Sequence, residues 1–130
     1  MAGPTNICFR RACDCDICNV LPPRFICSDR FLVYQFSCRH CNDFYVGQTN
    51  RPFKFRYCEH SRAIKKFDRS SALTEHLQKH HAKLVNKSIS DFKLQVIDKC
   101  ADPVTTRVTE ARYIRLLRPK INRKHELTEF

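Results

Sequence analysis

Cys38 and Cys41 form a Cys-x-x-Cys pair, and the run Glu-His-Leu-Gln-Lys-His-His places His76, His80 and His81 downstream of it. Two thiolates from a turn and two imidazoles from a helix suit one tetrahedral Zn²⁺, whose preferred donors they are. On a helix His76 and His80 lie one turn apart and reach the same side. His81 competes for the fourth position, since spacing does not set the helix phase closely enough to choose. In small zinc peptides such a site carries on the order of 10–16 kcal/mol of apparent binding energy, which matters to a short chain. An earlier stretch holds a second pair, Cys15-x-x-Cys18, with Cys8, Cys13 and Cys27 competing for the other two places of another zinc site. Cys58 and Cys100 have no ligand-like neighbours and read as core or spare thiols.

The nine cysteines are an odd number, and the opening Met-Ala-Gly-Pro-Thr-Asn lacks the apolar stretch of a secretion signal. Metal ligation in a reducing compartment is therefore expected, not a secreted disulfide framework. The 24 Lys and Arg against 13 Asp and Glu give a net charge of +11. These cations occur in every segment, interleaved with Phe and Tyr, a distribution that favours a nucleic-acid-binding face. No apolar run approaches the ~20 residues needed to cross a bilayer, which argues against a membrane role. With 130 residues, 42% of them apolar, there is room for one compact domain and an appendage. The division expected is a cysteine-rich arm over 1–30 and a domain over 31–130.

The elements that must position these groups follow from periodicity. Residues 31–36 and 44–48 are short runs rich in aromatic and β-branched side chains, joined by Cys-Arg-His-Cys-Asn-Asp, and predict a hairpin. Thr49 or Asn50 is the expected cap of a helix beginning near Pro52. Phe53, Tyr57, His60, Ile64 and Phe67 form its apolar stripe at steps of three and four. Arg56 and His60 are one turn apart on that helix and project from neighbouring positions of one face. A second helix is expected from Ser70 or Ser71 to about Leu84, and a third strand over 92–97. Asp102-Pro103 signals the start of a last helix, with Val104, Val108, Ala111, Ile114 and Leu117 inward and Pro119 ending it. The fold class is α/β of the α+β kind, a small three-stranded antiparallel sheet flanked by helices.

Leu-Val-Tyr (32–34), Tyr-Val-Gly (45–47), Arg-x-x-x-His (56–60), Glu110 and Asn122 occur in an order and at spacings that resemble the GIY-YIG nuclease domain. The resemblance covers roughly 31–123. Phe-Tyr-Val-Gly-Gln-Thr-Asn-Arg-Pro-Phe-Lys-Phe-Arg-Tyr-Cys-Glu-His (44–60), Ser-Ala-Leu-Thr-Glu-His-Leu (71–77) and the Cys-Cys-His-His set are similar to the endonuclease domain of Penelope-like retroelements. The first motif departs from the pattern, since Leu-Val stands where Gly-Ile is usual and only the tyrosine is retained. The interval from Tyr-Val-Gly to Arg56 is one residue longer than in many of these nucleases, and Penelope-like sequences share that residue.

The resemblance implies a GIY-YIG fold with a zinc-stabilised insertion, and a metal-dependent DNA endonuclease, a nickase. Its 3′-hydroxyl product would prime reverse transcription by the element. Glu110 would hold a catalytic Mg²⁺ or Mn²⁺, which suits a hard carboxylate oxygen. Arg56 would bind the scissile phosphate through its planar fork. Tyr34, Tyr45 or His60 would serve as general base, although a phenol near pKa ~10 is a poor base at neutral pH unless shifted. Gly47 would serve a close approach of backbone to substrate or an unusual φ. Asn122 would position the last helix or the site network. The implied partners are duplex DNA, the element's reverse transcriptase domain and, with it, its RNA; the implied location is the nucleus. The rival reading is a non-catalytic, zinc-stapled DNA-binding module that keeps the fold.

Overall fold

Leu32–Cys38 is apolar at nearly every position because it becomes the central strand, covered on both faces. The computed structural model describes residues 16–123, so Cys8, Cys13 and Cys15 lie outside the described residues. The order is α1 (Asp16–Val20), β1 (Leu32–Cys38), β2 (Phe44–Thr49), α2 (Phe53–Lys65), α3 (Ala72–His80), β3 (Phe92–Lys99) and α4 (Pro103–Leu117). The result is a mixed α/β fold. The sheet is three-stranded and antiparallel, as expected, in the order β2-β1-β3.

Period-two alternation sends the strand residues to two cores. Leu32, Tyr34, Phe36 and Tyr45 face α2 and α3, meeting Phe53, Ile64, Leu73 and Leu77. Val33 and Val46 face the other way and meet Ile114 of α4. The first core also takes in Cys18, Leu21 and Cys27, so the described part of the cysteine-rich arm shares the core of the sheet. The arm contributes in a second way. The carbonyls of Asp29 and Cys27 accept the first amides of α2, Phe53 N and Lys54 N, both at 2.8 Å.

That arrangement corrects the expected cap of α2. The N-cap position is Pro52, with no side-chain cap bond, and neither Thr49 nor Asn50 is needed because backbone carbonyls satisfy the orphan amides. Phe67 also leaves the expected stripe. It follows the end of α2 in a left-handed conformation (φ 57°) and is exposed, whereas Phe53, His60 and Ile64 are buried. The second helix stops at His80, short of Leu84, because His81 leaves helical geometry (φ −134°, ψ 44°).

Helix α4 starts as expected. Asp102 caps Thr105 N at 2.8 Å, Pro103 takes the first turn, and Arg118 closes the helix in the left-handed region. Its inward face differs from the expected stripe. Val104, Val108 and Leu117 are exposed, while Thr106 and Ile114 are buried and Glu110 is half-buried. The helix is thus turned so that a carboxylate, not a valine row, lies toward the sheet. After α4 the chain returns to the outer edge of β2. Ile121 N bonds Phe44 O, and the Asn122 amide bonds both the N–H and the C=O of Val46 at 2.9 Å.

Gly47 lies directly opposite Tyr34 in the register and has no positive φ. A Cβ there would stand 2.6 Å from Tyr34 Oη and 2.8 Å from Tyr45 Cε2. The glycine is therefore required by the convergence of two tyrosine rings, which corrects the expectation of an unusual φ. Gly47→Ala should destabilise the fold by about 1–3 kcal/mol, as overpacking does. Urea unfolding checks this, and a midpoint equal to wild type would refute it.

Candidate active site and metal centre

Tyr34, fully buried, carries a hydroxyl that must find partners inside the protein. His60 Nε2 lies 2.8 Å from Tyr34 Oη, and Arg56 Nε donates to the same oxygen at 3.3 Å. Arg56 can only donate, whereas the donor and acceptor roles of Tyr34 Oη and His60 Nε2 depend on the imidazole tautomer; burial keeps the His60 ring neutral. The rings of Phe36, Phe53 and Tyr45 surround this pair edge-on, Tyr34–Phe53 at 5.3 Å and Tyr45–His60 at 5.8 Å between centroids. Arg56 and His60 reach the network because α2 places them one turn apart, as expected.

Burial sets the electrostatics. It pushes the Tyr34 phenol up to about 12 despite the pull of Arg56, and the charges of Glu110 and Glu59 add to the rise. Burial, with Arg56 next, pulls His60 down to about 3. Burial also opposes the charge of Arg56, yet the two tyrosines and Glu59 more than offset it and hold the guanidinium protonated above its ordinary value. The Tyr34 phenol is thus a poor base at neutral pH. Glu110 enters this site through the field its charge exerts on Tyr34.

The network opens on a cleft of about 330 Å³ between α2 and α3, lined by Tyr45, Arg56, Glu59, His60, Ser71 and Arg123 among others. The structure therefore brings Tyr34, Tyr45, Gly47, Arg56 and His60 together, with Glu110 within electrostatic reach. Asn122 is buried at the β2 edge, where it pairs with backbone. Glu59 and Arg123 were not singled out from the sequence. For Glu59 a signal existed, a carboxylate one turn after Arg56 on the same helix. Arg123 bonds the carbonyl of Arg69 and pairs with Glu75, contacts across the chain that no local pattern announces.

A second constellation lies at the end of the hairpin. Cys38, Cys41, His76 and His81 each offer a donor atom, and all four atoms lie within 4.8 Å of one another. Cys38 Sγ to His81 Nε2 and Cys41 Sγ to His76 Nε2 are both 3.5 Å. Sulfur and nitrogen donors on a tetrahedral zinc stand about 3.6 Å apart, from bond lengths of about 2.3 and 2.0–2.1 Å. These four residues could hold a metal ion. Burial raises the Cys38 thiol above its ordinary value, outweighing the lowering by His40 N, which donates to Sγ at 3.4 Å. Burial lowers the pKa of His76, and the neighbouring histidines lower it further, so its neutral, ligating form is favoured. Of the two candidates left open for the fourth position, His80 is exposed at the end of α3, and His81, bent back at the C-cap, joins the cluster. Cys18 and Cys27 are both buried, and Cys27 N donates to Cys18 Sγ at 3.4 Å.

Compared with known proteins, the chain matches no family model, no curated protein and no solved structure. Among the described residues no helix is long and apolar enough to cross a membrane.

Two outcomes follow from these geometries. His81→Ala should abolish stoichiometric metal binding by the purified protein while His80→Ala retains it, as read by elemental analysis; equal retention in both would refute the ligand set. A His60 pKa far below its ordinary 6.5 makes stability fully present above pH 6.5 and lost as pH falls from there toward about 3. The His60 ring resonances should accordingly stay fixed from pH 8 to about 5 in an NMR titration. A midpoint near 6.5 would show the ring to be solvated.

Proposed function

We propose that this chain is a metal-dependent DNA endonuclease of the GIY-YIG kind that nicks duplex DNA. The observation that carries the reading is the meeting of Tyr45, Arg56 and His60 at one cleft, with the buried Tyr34 hydroxyl beneath them in hydrogen-bond contact with both Arg56 and His60. Sequence order alone separates Tyr34 from Arg56 and His60 by more than twenty residues, so their direct contacts support the resemblance independently of spacing. The basic balance of +11 suits a polyanionic partner. The similarity to Penelope-like endonuclease domains extends the reading to a retroelement that nicks nuclear DNA to prime its own reverse transcriptase.

In this mechanism Arg56 binds a non-bridging oxygen of the scissile phosphate, its charge secured by the tyrosines and Glu59. Its Nε–Tyr34 bond fixes the plane of the fork before substrate arrives, which is the preorganisation that phosphoryl chemistry rewards. A water attacks phosphorus, the P–O3′ bond breaks, and the products are a 3′-hydroxyl and a 5′-phosphate. Tyr45, the phenol that lines the cleft, would take the water's proton as its phenolate, having first lost its own proton to solvent, and the departing O3′ would take a proton from solvent water. Tyr34 is buried beneath the cleft with its pKa raised. His60 holds Tyr34 and, being neutral, adds no competing charge beside Arg56. Glu110 is a half-buried, hard carboxylate that fits Mg²⁺ or Mn²⁺, with water filling the remaining positions. When bound there, the ion would lower the pKa of a water and neutralise developing charge. The Cys38, Cys41, His76, His81 cluster is assigned to a structural Zn²⁺, since it offers four protein donors and no open position.

Supercoiled-plasmid cleavage with zinc-loaded protein tests the reading. Nicked circles should form only with Mg²⁺ or Mn²⁺, Glu110→Ala should abolish them at nearly unchanged DNA affinity, and Arg56→Ala should slow nicking by about 10²–10³-fold. Tight DNA binding without cleavage under any ion would overturn the nuclease in favour of a non-catalytic DNA-binding module.

A further inference from the structure

Two guanidiniums meet on one carboxylate at the rim of the cleft. Arg51 Nη2 donates to both oxygens of Glu59, at 2.7 and 2.8 Å, and Arg56 Nη1 donates to Oε1 at 3.2 Å. We infer that Arg51 and Arg56 together form a phosphate site, and that Glu59 fills it as an internal anion until a phosphodiester of the DNA backbone displaces it. The inference rests on the nuclease reading only for the identity of the incoming anion.

Shape supports the exchange. A carboxylate presents two oxygens in the way a phosphodiester presents its two non-bridging oxygens, and guanidinium groups grip both by paired N–H donors. A pair of arginines set for one is therefore set for the other. The occupant is also free to leave. The side chains of Arg51 and Glu59 are 52% and 38% exposed, so water screens their attraction and the pair is weak despite its short distances. The hydrogen bonds from Arg51, with those from Arg56, hold Glu59 ionised below the usual carboxylate range, so at neutral pH it is a charge and not an acid.

The two arginines are anchored differently, which decides what happens on displacement. Arg56 keeps its Nε bond to the buried Tyr34 hydroxyl and stays aimed when Glu59 swings out. Arg51 belongs to the turn ahead of α2, its amide held by Thr49 Oγ1 at 3.2 Å, and its side chain can follow the incoming phosphate. Glu59 itself lines the cleft beside Arg56, Tyr45 and His60, so its charge sits on the path a strand must take. The carboxylate lowers affinity for any single small anion and leaves the site to ligands that bring additional phosphate contacts elsewhere on this basic surface.

The test is fluorescence-anisotropy titration of a labelled duplex of about 20 base pairs, without divalent ion, across a salt series near 0.1 M. The full chain is compared with Glu59→Gln and Arg51→Ala, each checked for a wild-type circular dichroism spectrum. Glu59→Gln should bind roughly five- to tenfold more tightly, as loss of one opposing charge implies. Arg51→Ala should bind more weakly, with the slope of log K against log salt reduced by about one. Glu59→Gln binding no better than wild type, or Arg51→Ala with an unchanged slope, overturns the inference. Binding that follows these expectations in a protein that never nicks plasmid would remove the nuclease reading alone. Nicking without the Glu59→Gln gain would remove this inference alone. If wild type and Glu59→Gln both fail to bind duplex at every salt concentration, both fall.

Discussion

The hydroxyl of Tyr34 is a polar group in a place without water, and the fold is organised around keeping it satisfied. An unpaired buried hydroxyl would cost about 1–3 kcal/mol, a large share of the margin of a domain this size. His60 and Arg56 from α2 supply its partners, so the helix must dock on the sheet at one rotation and one height. Gly47 supplies the room for the ring, and Phe36 and Phe53 enclose it edge-on, contacts worth about 0.5–1.5 kcal/mol each beyond burial. The cleft is thus a by-product of core packing. Its guanidinium is oriented from below, by a group that solvent cannot reach.

The Cys38, Cys41, His76, His81 cluster does for α3 what Tyr34 does for α2. One wall of the cleft is tied to the hairpin by a buried hydrogen-bond network, the other by four convergent side chains at the hairpin's far end that could hold a metal ion. Helices α2 and α3 need not pack extensively on each other to keep their spacing, because each is referred to the same two strands. The carbonyls of Cys27 and Asp29, which cap α2, extend that dependence to the cysteine-rich segment before the sheet.

What could be read in advance was what local chemistry decides. The three strands follow from aromatic and β-branched runs, the start of α4 from Asp102-Pro103, and the knuckle from Cys38 and Cys41. The open choices and the misses each turn on tertiary structure. The choice between His80 and His81, which spacing left open, is made because the helix ends at His80 and His81 turns back to Cys38. A hydrophobic row is the natural inward face of α4, yet Val104 and Val108 face solvent because Glu110 is turned toward the sheet. The cap of α2 comes from a segment more than twenty residues earlier, invisible to a local pattern. Gly47 was legible as a required glycine, but the reason, two rings across the strand pair, needed the register.

The segment after α4 has a consequence for how the molecule behaves in a crowd. β2 is an edge strand, and edge strands offer a row of backbone donors and acceptors on which another chain can grow. Asn122 presents its side-chain amide to Val46 as though it were the next strand's peptide group, and Ile121 N does the same for Phe44 O. With those positions spoken for, a stray extended peptide meets no open ladder at the middle of β2. One asparagine therefore guards the edge of the sheet against templated self-association.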